Sequence, residues 1–157
     1  CRTVFTLYLF LMWSLQQQQQ QQQQLAVLRR QQLEGWAGRY GLKIFQRLLT
    51  PTELAYCLKT GKPLNHPKTL QRLGGRLAIK EAVAKALGVG MKGLGHLQGI
   101  HWQSIEVQEA TQTSPPCVRL HKEALKTAES LGVTQWSISL SHDGDTVCAT
   151  ALGLMFC

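Results

Sequence analysis

Gly74-Gly75-Arg76-Leu77-Ala78-Ile79-Lys80-Glu81-Ala82-Val83-Ala84-Lys85-Ala86-Leu87-Gly88 is the stretch around which the rest of the chain organises. Ala and Leu are strong helix formers, so the run reads as a helix that starts at Gly74-Gly75 and stops at Gly88, just past the last apolar position. Glu81 and Lys85 are one turn apart and share a face, as do Arg76 and Lys80. One short helix of small apolar residues thus carries a carboxylate and three cations. Taken alone, Glu-x-x-x-Lys is ordinarily an exposed pair worth about 0.3–0.5 kcal/mol. The segments on either side give it more weight.

Downstream, Trp136-Ser137-Ile138-Ser139-Leu140-Ser141-His142-Asp143 alternates apolar and small polar side chains, which predicts a strand ending in a histidine. With Val147 to Leu152 it forms a hairpin around Asp143-Gly144-Asp145. Upstream, one helix ends at Leu49, and Thr50 caps the next with Pro51 at its first position and Glu53 three residues after the cap. Residues 62–72, with Lys62-Pro63 and Asn65-His66-Pro67, read as a loop into the Arg76 helix, and His66 as a surface residue of that loop. Glycines 90, 93, 95 and 99 predict a mobile connector exposing Lys92 and His96; they match neither Gly-x-Gly-x-x-Gly nor a Walker loop. His101 to Val107 and Val118 to Leu120 are then strands, and His121 to Leu131 a helix closed by Gly132.

At 157 residues with a net charge of +8, the chain is sized for one domain and suited to anionic partners such as nucleic acid, membrane phosphates, nucleotide cofactors or an acidic protein. Its five cysteines, at positions 1, 57, 117, 148 and 157, form no Cys-x-x-Cys pair. They read as unpaired thiols of a reducing compartment, with Cys148 in the core and no zinc site expected. The compartment expected is cytoplasm or an organellar matrix or stroma, with no secretion.

Residues 1–28 differ in composition: a largely apolar run from Val4 to Leu15, too short to span a bilayer, then the glutamines Gln16 to Gln24. They read as a disordered or non-native segment preceding a domain over 29–154. The chain opens with Cys, as a fragment of a longer product would, and the apolar run is compatible with a targeting segment, a translated non-coding stretch or a hydrophobic tail. From Leu25, the residues Leu28, Gln32, Leu33 and Trp36 fall near one helical face with Arg29, Arg30 and Arg39 mostly off it, which predicts a basic amphipathic helix.

Three blocks in this order, Arg47-Leu48-Leu49-Thr50-Pro51-Thr52-Glu53-Leu54, the Gly75-Arg76 to Gly88 helix, and Ser139-Leu140-Ser141-His142, resemble the small phosphopantetheinyl transferases of the holo-acyl-carrier-protein synthase type. The helix motif is the specific part; the Ser-His strand alone is weak. The resemblance implies an α+β fold, a small antiparallel sheet packed with helices in the single-copy phosphopantetheinyl transferase arrangement, assembled as a homotrimer with coenzyme A at subunit interfaces. It also implies transfer of 4′-phosphopantetheine from coenzyme A to a serine of acyl carrier protein, in fatty acid biosynthesis, with magnesium required and 3′,5′-ADP released. Carried over residue by residue, Glu81 is the magnesium ligand and, with Lys85, the catalytic pair. Lys85, Lys80, Arg76, Gly88 and His142 bind the coenzyme, and Arg29, Arg30, Arg39 and Arg47 meet the acidic carrier protein. Read without the family, Arg76 is a structural ion pair and His142 a strand-end histidine.

One departure stands out. The family's first strand carries an Asp that is the second magnesium ligand, and its spacing from Tyr40-Gly41 falls here on Ala26. No Asp precedes Asp143, and Glu34 is the only acidic residue before Glu53. Loss of a comparable electrostatic group commonly costs about 10²–10³ in rate. The alternatives are therefore an impaired enzyme or a carrier-binding module indifferent to Glu81, and, from charge alone, a nucleic-acid binder with steep salt dependence.

Overall fold

The computed structural model describes residues 23–93 and 98–155. The Val4 to Leu15 run, most of the glutamine tract and His96 lie outside the described residues. A three-stranded antiparallel sheet in the order β1-β7-β6 carries the fold. Its strands are β1 (Gln23–Arg29), β6 (Val133–Asp143) and β7 (Thr146–Met155), the last two joined as the expected hairpin through Gly144 at φ +53°.

β1 overturns one expectation: Leu25 to Arg29 form a strand rather than the start of a helix, and that strand takes in Gln23 and Gln24 of the glutamine tract. The four residues Leu25-Ala26-Val27-Leu28 fit either period. Pairing with β7 along the whole strand decides the matter, placing Leu25 and Val27 outside at about half exposure and burying Ala26 and Leu28. The basic helix is the shorter α1 (Arg30–Tyr40). It is followed by α2 (Leu42–Leu48) and then α3 (Pro51–Leu58), whose start is the expected capping box: the Glu53 amide donates to the Thr50 hydroxyl and the Thr50 amide to the Glu53 carboxylate.

The long helix α4 (Pro67–Ala86) begins seven residues before Gly74. His66 caps it by accepting from the Lys68 amide through Nδ1, and Pro67 occupies its first position, so residues 67–72 are helix rather than loop. Gly74 and Gly75 lie mid-helix because the structure leaves no room there. A Cβ on Gly74 would stand 2.8 Å from the Leu33 side chain, and one on Gly75 3.0 Å from that of Leu140. Helix and sheet meet closely over these glycines, with Leu73, Leu77 and Val83 of α4 and Ala149 and Ala151 of β7 in the core.

The glycine-bearing connector contains a short parallel pair, β2 (Met91–Lys92) with β3 (Ile100–His101). The strand expected over 101–107 is interrupted by a 3-10 turn, Trp102–Ser104, before β4 (Ile105–Gln108) pairs with β5 (Cys117–Leu120). Helix α5 (Lys122–Leu131) ends on left-handed Gly132 as expected. Cys57, not Cys148, is the core cysteine: Cys148 is half-buried, whereas Cys57 is fully enclosed. Among the described residues no helix is long and apolar enough to cross a membrane.

Candidate active site

Helix α4 borders two pockets. At about 100° per residue, Glu81 lies roughly 140° and Lys85 roughly 180° round the helix from Arg76. Arg76 and the Glu81–Lys85 pair therefore open into different pockets.

The first pocket, about 410 Å³, is lined by Glu81 and Lys85 together with Leu28, Gln32, Trp36 and Trp102. The Lys85 ammonium is 3.1 Å from the Glu81 carboxylate and also donates to the Leu25 carbonyl at 3.2 Å, tying the helix to β1. Both side chains keep partial exposure, 44% and 32%, so they remain accessible from the pocket. Helix α4 terminates here: Gly88 adopts φ +70°, a conformation a side chain would strain, and the next residues, Val89 and Gly90, join the pocket wall.

The second pocket, about 330 Å³, is lined by Arg76, Arg72, Lys68, Tyr56 and, from the end of β6, His142. Arg76 is only 7% exposed, and no described carboxylate forms an ion pair with it. Its guanidinium lies 4.2 Å from the centre of the Tyr56 ring and reaches the Gln108 carbonyl at 3.5 Å. The structural-ion-pair reading of Arg76 therefore does not hold. The adjacent Cys57 thiol has its pKa pushed up to about 11 by burial, with Arg76 pulling the other way, so it is an inert neighbour at neutral pH.

Lys80 belongs to neither pocket. It is fully buried, 2.7 Å from a Glu53 carboxylate oxygen, and donates to the carbonyls of Leu48 and Trp102 at 3.1 and 2.9 Å. Burial lowers its pKa while Glu53 opposes the shift. The other Glu53 oxygen accepts from the Val107 amide at 2.7 Å. The expectation that Lys80 faces phosphate is corrected: its three donors are all satisfied inside the protein, by Glu53 and Leu48 upstream and Trp102 downstream.

The four arginines assigned to a partner differ in how far they are already engaged. Arg30 is held by Glu34 at 3.3 Å and Asp145 at 2.6 Å. Arg29, Arg39 and Arg47 are exposed at the end of β1, in the last turn of α1 and in the last turn of α2. Tyr56, Arg72, Lys68, Trp36 and Trp102 went unrecognised in the sequence. For Arg72 a signal existed, because Arg72 and Arg76 are like charges one turn apart with no acid on their side of the helix.

Among the described residues no group of three or more His, Cys, Asp and Glu side chains could hold a metal. Ala26, where the second carboxylate was expected, is a buried methyl paired with Ala149. Magnesium commonly takes one or two carboxylates and completes its shell with phosphate oxygens and water. Glu81 alone fits that demand only for an ion that arrives with a phosphorylated ligand.

A small antiparallel sheet is thus packed on a helix that carries an acid-lysine pair on one face and an arginine on the other. Residues 28–151 match the family described as the 4′-phosphopantetheinyl transferase superfamily, and the chain belongs to it. It is similar to the holo-[acyl-carrier-protein] synthase of Herpetosiphon aurantiacus, 41% identical over 117 residues that cover 74% of this chain and 84% of that one. The corresponding synthase of Solidesulfovibrio magneticus is 35% identical over 126 residues, covering 80% and 91%. Among solved structures, the holo-[acyl-carrier-protein] synthase of Neisseria meningitidis superposes with a TM-score of 0.67 at 27% identity, covering 85% of this chain and 98% of that one.

Proposed function

We propose that this chain transfers 4′-phosphopantetheine from coenzyme A to a serine hydroxyl of an acyl carrier protein. The serine oxygen bonds to the coenzyme phosphorus nearest the pantetheine and gives up its proton to solvent, the bond from that phosphorus to the bridging oxygen breaks, and 3′,5′-ADP departs with the electron pair. The observation that carries this reading is the accessible Glu81–Lys85 pair in a largely apolar pocket at the end of α4.

Negative charge grows on the leaving phosphate, so a fixed ammonium beside it lowers the barrier more than it stabilises the ground state. Lys85 supplies that ammonium. Its bonds to the Leu25 carbonyl and the Glu81 carboxylate hold it in place. The apolar walls, Trp36, Trp102 and Leu28, suit the pantetheine arm and keep water away from the phosphorus. Glu81 would hold magnesium on the coenzyme phosphates, and bound magnesium supplies charge neutralisation there. Gly88 lets phosphate approach the helix end, and Lys80 serves the fold instead.

Arg76 and His142 face away from Glu81, so one copy of the chain presents two half-sites. A homotrimer in which the Arg76 face of one copy meets the Glu81 face of the next completes them, and this is the assembly we propose. Arg29, Arg39 and Arg47 remain for the acidic carrier protein. The missing carboxylate at Ala26 favours a slow enzyme over an inactive one, since Glu81 and Lys85 are both in place.

The test is mass spectrometry of apo acyl carrier protein incubated with the chain, coenzyme A and magnesium. One phosphopantetheine should be gained and the gain lost with Glu81→Ala. No gain under any magnesium concentration, with coenzyme still bound, would leave a binding module.

A further inference from the structure

We propose that Tyr56 is a positioning residue for coenzyme binding, its ring being the platform that holds the Arg76 guanidinium, with Arg72 alongside, toward the second pocket. This rests on the reading of that pocket as a half-site for the coenzyme.

Three cations surround one aromatic ring. Arg76 lies 4.2 Å, Lys59 4.1 Å and Arg72 5.8 Å from its centre. Lys59 is drawn away by Glu109 at 2.8 Å and does not line the pocket. Arg72 and Arg76 do line it, and neither has a carboxylate among the described residues.

Two guanidinium groups one helical turn apart repel each other, and a nearly buried one needs compensation. Ordinary hydrogen bonding supplies little: Arg76 has the Gln108 carbonyl and Arg72 the Thr60 hydroxyl, both at 3.5 Å, the outer limit for such a bond. The negative face of the ring makes up part of the difference without cancelling the charge. A carboxylate in its place would quench the field that an anionic ligand needs. An aromatic ring restrains the guanidinium and leaves its charge free to attract phosphate. The contact uses the face of the ring, so the hydroxyl has no part in it.

Calorimetric dissociation constants for coenzyme A, at fixed magnesium, should be compared for the wild type, Tyr56→Phe, Tyr56→Leu, Arg76→Ala and the Tyr56→Leu/Arg76→Ala pair, with thermal unfolding of each. Tyr56→Phe should bind within about twofold of wild type and Tyr56→Leu about fivefold more weakly. In the Arg76→Ala background, Tyr56→Leu should cost less than about twofold, because the two residues act as one unit. The proposal is overturned if Tyr56→Leu binds normally, if its loss is the same with and without Arg76, or if Tyr56→Phe is as damaged as Tyr56→Leu. Normal binding by Arg76→Ala would overturn the half-site reading itself.

Discussion

Lys80→Met separates the two roles open to that lysine. All three ammonium donors are engaged in a fully buried setting, on Glu53 at 2.7 Å, Trp102 at 2.9 Å and Leu48 at 3.1 Å. Methionine restores most of the side-chain volume, so little cavity is created and the cost is electrostatic. Removing one partner of a buried ion pair costs about 3–5 kcal/mol, and two carbonyls left without their donor put this case in the upper part of that range. At about 3 °C per kcal/mol for a domain of this size, the melting temperature should fall by roughly 12 °C. Glu53→Gln/Lys80→Met removes both charges while an amide oxygen still accepts from the Val107 or Thr50 N–H, and should recover about half of the loss. Differential scanning calorimetry with coenzyme A titration on the same samples gives both readouts. A Lys80→Met protein that melts within about 3 °C of wild type but no longer binds coenzyme A would refute the structural assignment and return Lys80 to the site.

Ala26→Asp should place a second carboxylate beside the Glu81 pocket, making transfer at limiting magnesium at least about tenfold faster; an unchanged magnesium dependence of the initial rate would show that residue 26 does not face the ion. Cys57 gives a pH signature. Its pKa rises from 9.0 to about 11 on folding, so the folded state binds more protons in that interval. The thiol leaves stability unaffected below pH 9 and lowers it as the pH rises from 9 through 11, where the unfolded chain ionises first. Urea unfolding of wild type against Cys57→Ala should therefore show a gap that narrows between pH 8 and 10.5, and a gap independent of pH would contradict the assignment.

Local signals were legible and distant ones were not. The Thr50 capping box needs only residues 50–53, and the β6–β7 hairpin only the alternation on either side of Gly144. Glu81 and Lys85 are a helical turn apart, so their pairing was readable too. Lys80 looked equally available because nothing near it in sequence reveals Glu53. Gly74-Gly75 looked like punctuation, since the reason for glycine there is a pair of leucines 41 and 65 residues away, Leu33 and Leu140. β1 was obscured by its glutamines: a strand held by backbone pairing to β7 needs few apolar residues of its own.

The sheet order has a consequence for how the protein comes into being. β7 is the central strand, yet it is built from residues 146–155, and its partner on one side starts at residue 23. Until those late residues have been synthesised, β1 has no strand to pair with and β6 lacks its hairpin mate. Contacts of such sequence separation slow folding and leave apolar segments exposed meanwhile. The sheet is therefore completed only once residue 155 has been synthesised. The pocket walls that β1 and β6 supply, Leu28 on one side of α4 and His142 on the other, come into place in that same late step.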